Sequence, residues 1–169
     1  MDTPKVLIVM GSDTDLPVMK EATKILRQFG VSFEMRISSA HRCPDKTAQL
    51  SAEAEGRGIK VIIAGAGMAA HLAGVMAAGT ILPVIGVPVG GGAINGIDAL
   101  YSTVQMPGGI PVATVAIGKA GAKNAGILAV QMLALSDTSL ALKLKKLKES
   151  MAQEVASKDQ ELQENLDDQ

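Results

Sequence analysis

The stretch SSAHRCPD, residues 38–45, sets two hydroxyls, an imidazole, a guanidinium and a thiol side by side and closes them off with Pro44. His41 is one of two histidines in the 169 residues, and an imidazole is the side chain suited to giving or taking a proton near neutrality. Arg42 presents a planar fork of donors that matches phosphate oxygens. Ser38 and Ser39 add hydroxyls. Together these types suit a loop that grips a phosphate and moves a proton. The plainer alternatives are a surface salt bridge for Arg42 and a hydrogen-bonded structural imidazole for His41.

Two further stretches have chemical content. GSDTD, residues 11–15, leads directly into a helix. Gly11 allows close backbone approach, Ser12 and Thr14 carry hydroxyls, and the unpaired N–H groups of a helix start favour an anion. Asp15 suits sugar hydroxyls, which need acceptors. Asp13, Thr14 or Asp15 acting merely as a helix cap is the competing explanation. AGAGMAAH, residues 64–71, offers a strand end almost without side chains, against which a small flat ligand can lie. His71, next to Leu72 in an apolar run expected to be helical, reads either as a buried imidazole bonded to backbone or as a direct ligand contact.

Other chemistries lack their residues. Two His and one Cys, widely spaced, do not make a zinc site. GKAGAK, residues 118–123, has Ala120 where a phosphate-binding P-loop has Ser or Thr. GSDTDL has no second or third glycine for a dinucleotide fingerprint. Cys43 beside Arg42 is placed for a lowered pKa but has no dedicated base. Asp98, Tyr101 and Ser102 have no diagnostic spacing.

These loops need a scaffold, and the rest of the chain describes one. Apolar strands are expected at 5–10, 31–37, 60–65, 83–89 and 111–117. Helices are expected at 16–29, from Pro44 to about Arg57, at 68–78, near 96–105 and from Asn124 to about Leu135. Repeated strand–helix–strand units imply an α/β fold with a parallel sheet covered on both faces. Five such strands predict a flavodoxin-like three-layer sandwich with strand order 2-1-3-4-5. In that order the first three strands are neighbours, and their C-terminal loops converge on one crevice, where ligands bind in open α/β sheets. Residues 138–166 read as an extended amphipathic C-terminal helix, giving a domain over 1–136 and a helical extension over 137–169 that is either solvated or packed on a neighbouring subunit.

Charge narrows the partners. Sixteen basic residues against 17 acidic ones argue against bulk nucleic-acid binding. Between Val61 and Gly118 the one charged residue is Asp98. The run 61–89 is long enough to raise a membrane span, but His71, Pro83, Pro88 and five glycines and the strand–helix–strand pattern reject it. A poorly charged stretch of this length reads either as a thick core under charged flanking helices or, the favoured reading, as surface buried between subunits, because obligate interfaces resemble a domain core. The N-terminus is not a signal peptide, and a single Cys suits the cytoplasm.

VMGSDTDLPVM, SSAHRCPD, IIAGAGMAAHLAGVMAA, PVIGVPV, YSTVQMPGGIPVATVAIGKAG and NAGILAVQML together resemble class I N5-carboxyaminoimidazole ribonucleotide mutase, over residues 5 to 135. The resemblance implies a homo-octamer with active sites at subunit junctions and a reaction in purine biosynthesis without ATP, metal or cofactor. It implies that Ser12, Ser39 and Arg42 hold the 5′-phosphate of a small nucleotide, that Asp15 holds the ribose, and that His41 moves the proton. Ala40, Ala66, Gly67, His71 and Leu72 would border the base and a carbon dioxide pocket. The related class II carboxylases, which use free carbon dioxide, usually have Lys after the His and an AGRSN-like block; Arg42, Ala66 and His71 favour class I. Thr14, Cys43, Ala73 and the GGGAI loop at 90–94 depart from the usual class I pattern. Two readings of other classes are a non-catalytic phosphate or flavin binder, disfavoured by two Phe and one Tyr, and a hydrolase with Ser12 or Ser39 as nucleophile.

Overall fold

The computed structural model describes residues 3–167. Five strands, β1 (Val6–Met10), β2 (Phe33–Ile37), β3 (Val61–Gly67), β4 (Val84–Val89) and β5 (Ala113–Thr114), form one parallel sheet in the order β2-β1-β3-β4-β5. The helices are α1 (Leu16–Phe29), α2 (Pro44–Glu53), α3 (Leu72–Ala78), α4 (Ile97–Val104), α5 (Gly118–Ala134) and α6 (Thr138–Asp167). This is the expected α/β fold, strand order and C-terminal helix. The chain divides into two compact units, with the boundary after Met132.

The central strands are apolar along their whole length because both faces are covered. Every residue of β1 and β4 is buried. The two faces can be told apart by side-chain alternation. Leu7, Val9, Ile62 and Ala64 join Leu72, Ala73 and Met76 of α3 in one cluster. The opposite face carries Gly65, where a side chain would collide with Met19 of α1. α1 in turn meets α5 so closely that a Cβ at Gly126 would lie 2.9 Å from that of Ile25. Thus α1 covers one face, with α5 against it, and α3 covers the other, with α2 against α3. Glycine at Gly65 is what lets α1 seat next to the loop that precedes it.

Helix limits follow local chemistry. Pro17 and Pro44 sit in first turns, where the missing N–H costs nothing, and Gly30, with φ 73°, closes α1. α2 stops at Glu53 instead of Arg57, since residues 54–58 break into turns with Gly58 at φ +85°. α3 begins at Leu72 instead of residue 68: Met68 has φ 55° and cannot continue a right-handed helix. α5 starts at Gly118, so GKAGAK is the helix's opening turn and not a loop before it. β5 shrinks from seven expected residues to two; Pro111 has no N–H to give a sheet, although Val115 still donates to the Gly86 carbonyl at 3.1 Å. Among the described residues no helix is long and apolar enough to cross a membrane.

Candidate active site

β1, β2 and β3 end side by side, with Met10 aligned on Ile37 and on Gly65. The loops that leave these ends are stitched together by backbone: Gly11 N–H donates to the Gly65 carbonyl at 3.1 Å and Ser38 N–H to the Met10 carbonyl at 2.9 Å. Residues far apart in sequence therefore share one cavity of about 720 Å³.

The first loop folds into a single 3-10 turn, Asp13–Asp15, capped at both ends of a reciprocal box. Thr14 N–H donates to Ser12 Oγ at 3.3 Å, and Ser12 N–H donates to Asp15 Oδ2 at 3.1 Å. The cap of this turn is Ser12, not Asp13, Thr14 or Asp15; Asp15 closes the box by accepting from Ser12 N–H, and both side chains line the cavity. Asp15 is 8% exposed. Burial pushes its carboxyl above the usual aspartate value, against the opposing pull of the Ser12 and Gly11 N–H groups.

The second loop is held from below. Ser38 is buried and bonds Thr47 Oγ1 at 2.8 Å. Cys43 Sγ accepts from Ser39 N–H at 3.1 Å and lies 3.5 Å from Ser38 Oγ. These contacts, Ser38 first, lower the thiol's pKa. Arg42 N–H donates to Ser39 Oγ at 3.2 Å, and its guanidinium donates to the Gly11 carbonyl at 3.1 Å, tying the second loop to the first. The thiol is therefore a buttress of the loop, beneath the exposed His41 and Arg42.

The third loop brings His71. The residue is exposed and stands at the N-cap of α3, not inside the helix, so it is not a buried imidazole bonded to backbone. His41 Nε2 and His71 Nδ1 are 2.8 Å apart, with the rings edge to face at 83°. Such a bond needs one ring nitrogen bearing hydrogen and one bare.

Ser12, Asp15, Ser39, Ala40, His41, Arg42, Ala66, Gly67, His71 and Leu72 all line this one cavity. Val18, Met68, Ala69 and the segment Val89–Gly92 line it too; none of these is among the expected contacts, although Met68 and Ala69 lie in the third loop and Gly90–Gly92 in the loop at 90–94 that departs from the class I pattern. The glycine run that follows β4 was the available signal, since β4 neighbours β3 and its C-terminal loop must open on the same crevice. Thr14, noted for its hydroxyl, is also at the wall. Among the described residues no three His, Cys, Asp or Glu side chains gather as a metal would require.

Residues 5–154 match the model of the AIR carboxylase family. An N5-carboxyaminoimidazole ribonucleotide mutase of Thermotoga maritima is 56% identical over 161 residues, covering 95% of this chain and 93% of the relative. A protein of the same name from Bacillus subtilis is 54% identical over 159 residues, covering 94% and 98%. The crystal structure of Treponema denticola PurE superposes with a TM-score of 0.84 at 31% identity, covering 94% of this chain and 98% of that one.

Proposed function

This chain belongs to the AIR carboxylase family, and from that premise we propose that it is the mutase converting N5-carboxyaminoimidazole ribonucleotide to 4-carboxyaminoimidazole ribonucleotide. The observation that carries the proposal is the cavity itself. It joins a guanidinium and two serine hydroxyls for a phosphate, a carboxylate for sugar hydroxyls, and an imidazole pair beside an uncharged wall.

In this reading Ser12, Ser39 and Arg42 hold the 5′-phosphate and Asp15 the ribose. The bond from the exocyclic nitrogen to its carboxylate breaks, and the electron pair stays on nitrogen, which takes a proton from His41. Carbon dioxide remains in the pocket. Ring carbon 4 then attacks it, forming the new carbon–carbon bond, and the proton displaced from carbon 4 returns to the His41 nitrogen. One imidazole thus serves as acid and then as base. Ala40, Ala66, Gly67 and Leu72 border the pocket; a wall without charges keeps water from the trapped carbon dioxide. His71 holds the His41 ring through the Nδ1 contact and fixes its tautomer. The steps call on no ATP, metal or organic cofactor.

The reading extends to a homo-octamer in the cytoplasm, with residues 1–136 as the catalytic domain and 137–169 as an extension. Ile94, Ile97, Tyr101 and Val104 all lie exposed within the poorly charged stretch, which supports burial between subunits. A single Cys supports a reducing compartment.

The test is to mix the pure protein with the N-carboxylated ribonucleotide, without ATP, and follow product absorbance. Labelled carbon dioxide in the buffer should enter product slowly compared with turnover. Rapid and complete exchange would instead indicate the class II carboxylase route, and no conversion would overturn the assignment.

A further inference from the structure

We infer that α6 is a pairing element, built to lie antiparallel against α6 of a second copy of this chain. The helix runs 30 residues, about 45 Å. Leu140, Met151 and Leu162 follow one another at intervals of 11 residues, and so do Leu144, Val155 and Leu166. Eleven residues make three turns of 3.67, so the two rows stay side by side along a nearly straight helix. Leu140 is buried within its own chain, but Met151, Val155, Leu162 and Leu166 are 37%, 67%, 55% and 56% exposed.

Six apolar residues of the helix have a symmetry that a merely solvated helix does not need; Leu142 and Leu147 lie outside it. Leu140 and Leu166, Leu144 and Leu162, and Met151 and Val155 are each equidistant from Gln153. Turned end for end, the stripe falls on itself: Leu144 of one copy faces Leu162 of the other, and Met151 faces Val155. That is the isologous arrangement of a two-fold dimer.

Charge selects the same orientation. From Thr138 to Ser150 the helix carries Lys143, Lys145, Lys146 and Lys148 against Glu149. From Met151 onward it carries Glu154, Asp159, Glu161 and Glu164 against Lys158, and Lys158 is bonded to Glu154 at 2.6 Å. Antiparallel pairing sets the basic half over the acidic half, whereas parallel pairing sets like on like. At helical spacing Lys148 and Asp159 flank the stripe on the same side, so each copy's Lys148 meets the other's Asp159. The helix's own dipole does not account for this split. It favours acids in the first turn and bases in the last; the first turn has no acid and the last has no base.

The experiment uses the full chain carrying Leu144→Cys and Leu162→Cys, mildly oxidised, with linked peptides identified by mass so that Cys43 is tracked separately. Within one helix the two positions are about 27 Å apart, so they join only between copies. A covalent dimer linked 144 to 162 is expected. No covalent dimer, or links of 144 to 144 and 162 to 162, would overturn antiparallel pairing. In the same background Lys148→Glu should slow the cross-link about two- to tenfold, on the scale of exposed ion pairs. Adding Asp159→Lys should restore it. A rate unmoved by Lys148→Glu would overturn the register even if the apolar seam formed. Circular dichroism of each variant checks that the fold is kept.

Discussion

His41 Nε2 and His71 Nδ1 meet at 2.8 Å although the two residues are 30 positions apart in sequence. One leaves β2 and the other precedes α3, so the contact exists because β2, β1 and β3 are adjacent. Two imidazoles so bonded act as a unit, and removing either disturbs the other. His41→Asn should leave substrate binding nearly intact and lower single-turnover rate by about two to four powers of ten, the usual contribution of a placed acid–base group. His71→Asn should lower the rate less, because it removes the contact that orients His41 and leaves His41 itself. The double variant should be no slower than His41→Asn alone, since groups acting as a unit are not additive. Rapid-quench rates for the three variants check this; equal and additive losses would mean two independent roles.

Arg42 should separate from His41 in kinetics. Its guanidinium already donates to the Gly11 carbonyl, which leaves further N–H donors for an anion. Arg42→Ala should weaken substrate binding roughly tenfold to a few hundredfold, for charge-assisted bonds worth about 1.5–3 kcal/mol each. Turnover of bound substrate should change little, because the phosphate lies away from the reacting carbon. Calorimetric titration beside single-turnover rates would show the split.

Much of this was legible in the chain because the cues were strong and local. The five strands and their order followed from long apolar runs such as KVLIVM and KVIIAG alternating with helices capped by Pro and Gly. The convergence of Ser12, Asp15, Ser39, His41 and Arg42 followed from that order alone. What escaped was set by tertiary contact. A composition rich in Ala and Leu could not tell that the positive φ of Met68 would delay α3 until Leu72 and so bring His71 out into the cavity. The part played by Cys43 was equally hidden: its Sγ contacts to Ser38 and Ser39 depend on how the loop closes, not on residue type.

Asp15 gives a pH signature whose sign can be worked out. Burial raises its folded-state pKa above the ordinary 3.8. A group so raised contributes stability that is fully present below the unfolded value and is lost as pH rises through the folded one. Ionising the buried carboxylate is therefore a net cost. Asp15→Asn keeps an oxygen to accept the Ser12 N–H bond and removes that cost. It should melt higher than the parent at pH 7, with the advantage shrinking as pH falls toward 3.8, while its KM rises through loss of the sugar acceptor. Melting curves across that range check it; a lower melting temperature at pH 7 would show that the capping bond requires the charge.

Cys43 should report on the integrity of the second loop. Its thiol pKa lies below the ordinary 9.0, chiefly through the Ser38 hydroxyl and next through Ser39 N–H. Because the thiolate is the nucleophile, alkylation by iodoacetamide should show its midpoint below pH 9.0. Ser38→Ala, by removing the leading cause, should move that midpoint upward. Alkylation takes away the sulfur that accepts from Ser39 N–H, and Ser39 Oγ in turn receives Arg42 N–H, so modification should weaken substrate binding and substrate should slow modification. Cys43→Thr supplies an oxygen acceptor at the same place and should bind substrate nearly as the parent does. Cys43→Val supplies none. The loss of one hydrogen bond of about 1 kcal/mol should then raise KM roughly fivefold with kcat little changed, since His41 is held separately through His71. Steady-state kinetics of the two variants decides the point: equal KM values for Thr and Val would mean that the thiol fills space under the loop and does not hold it.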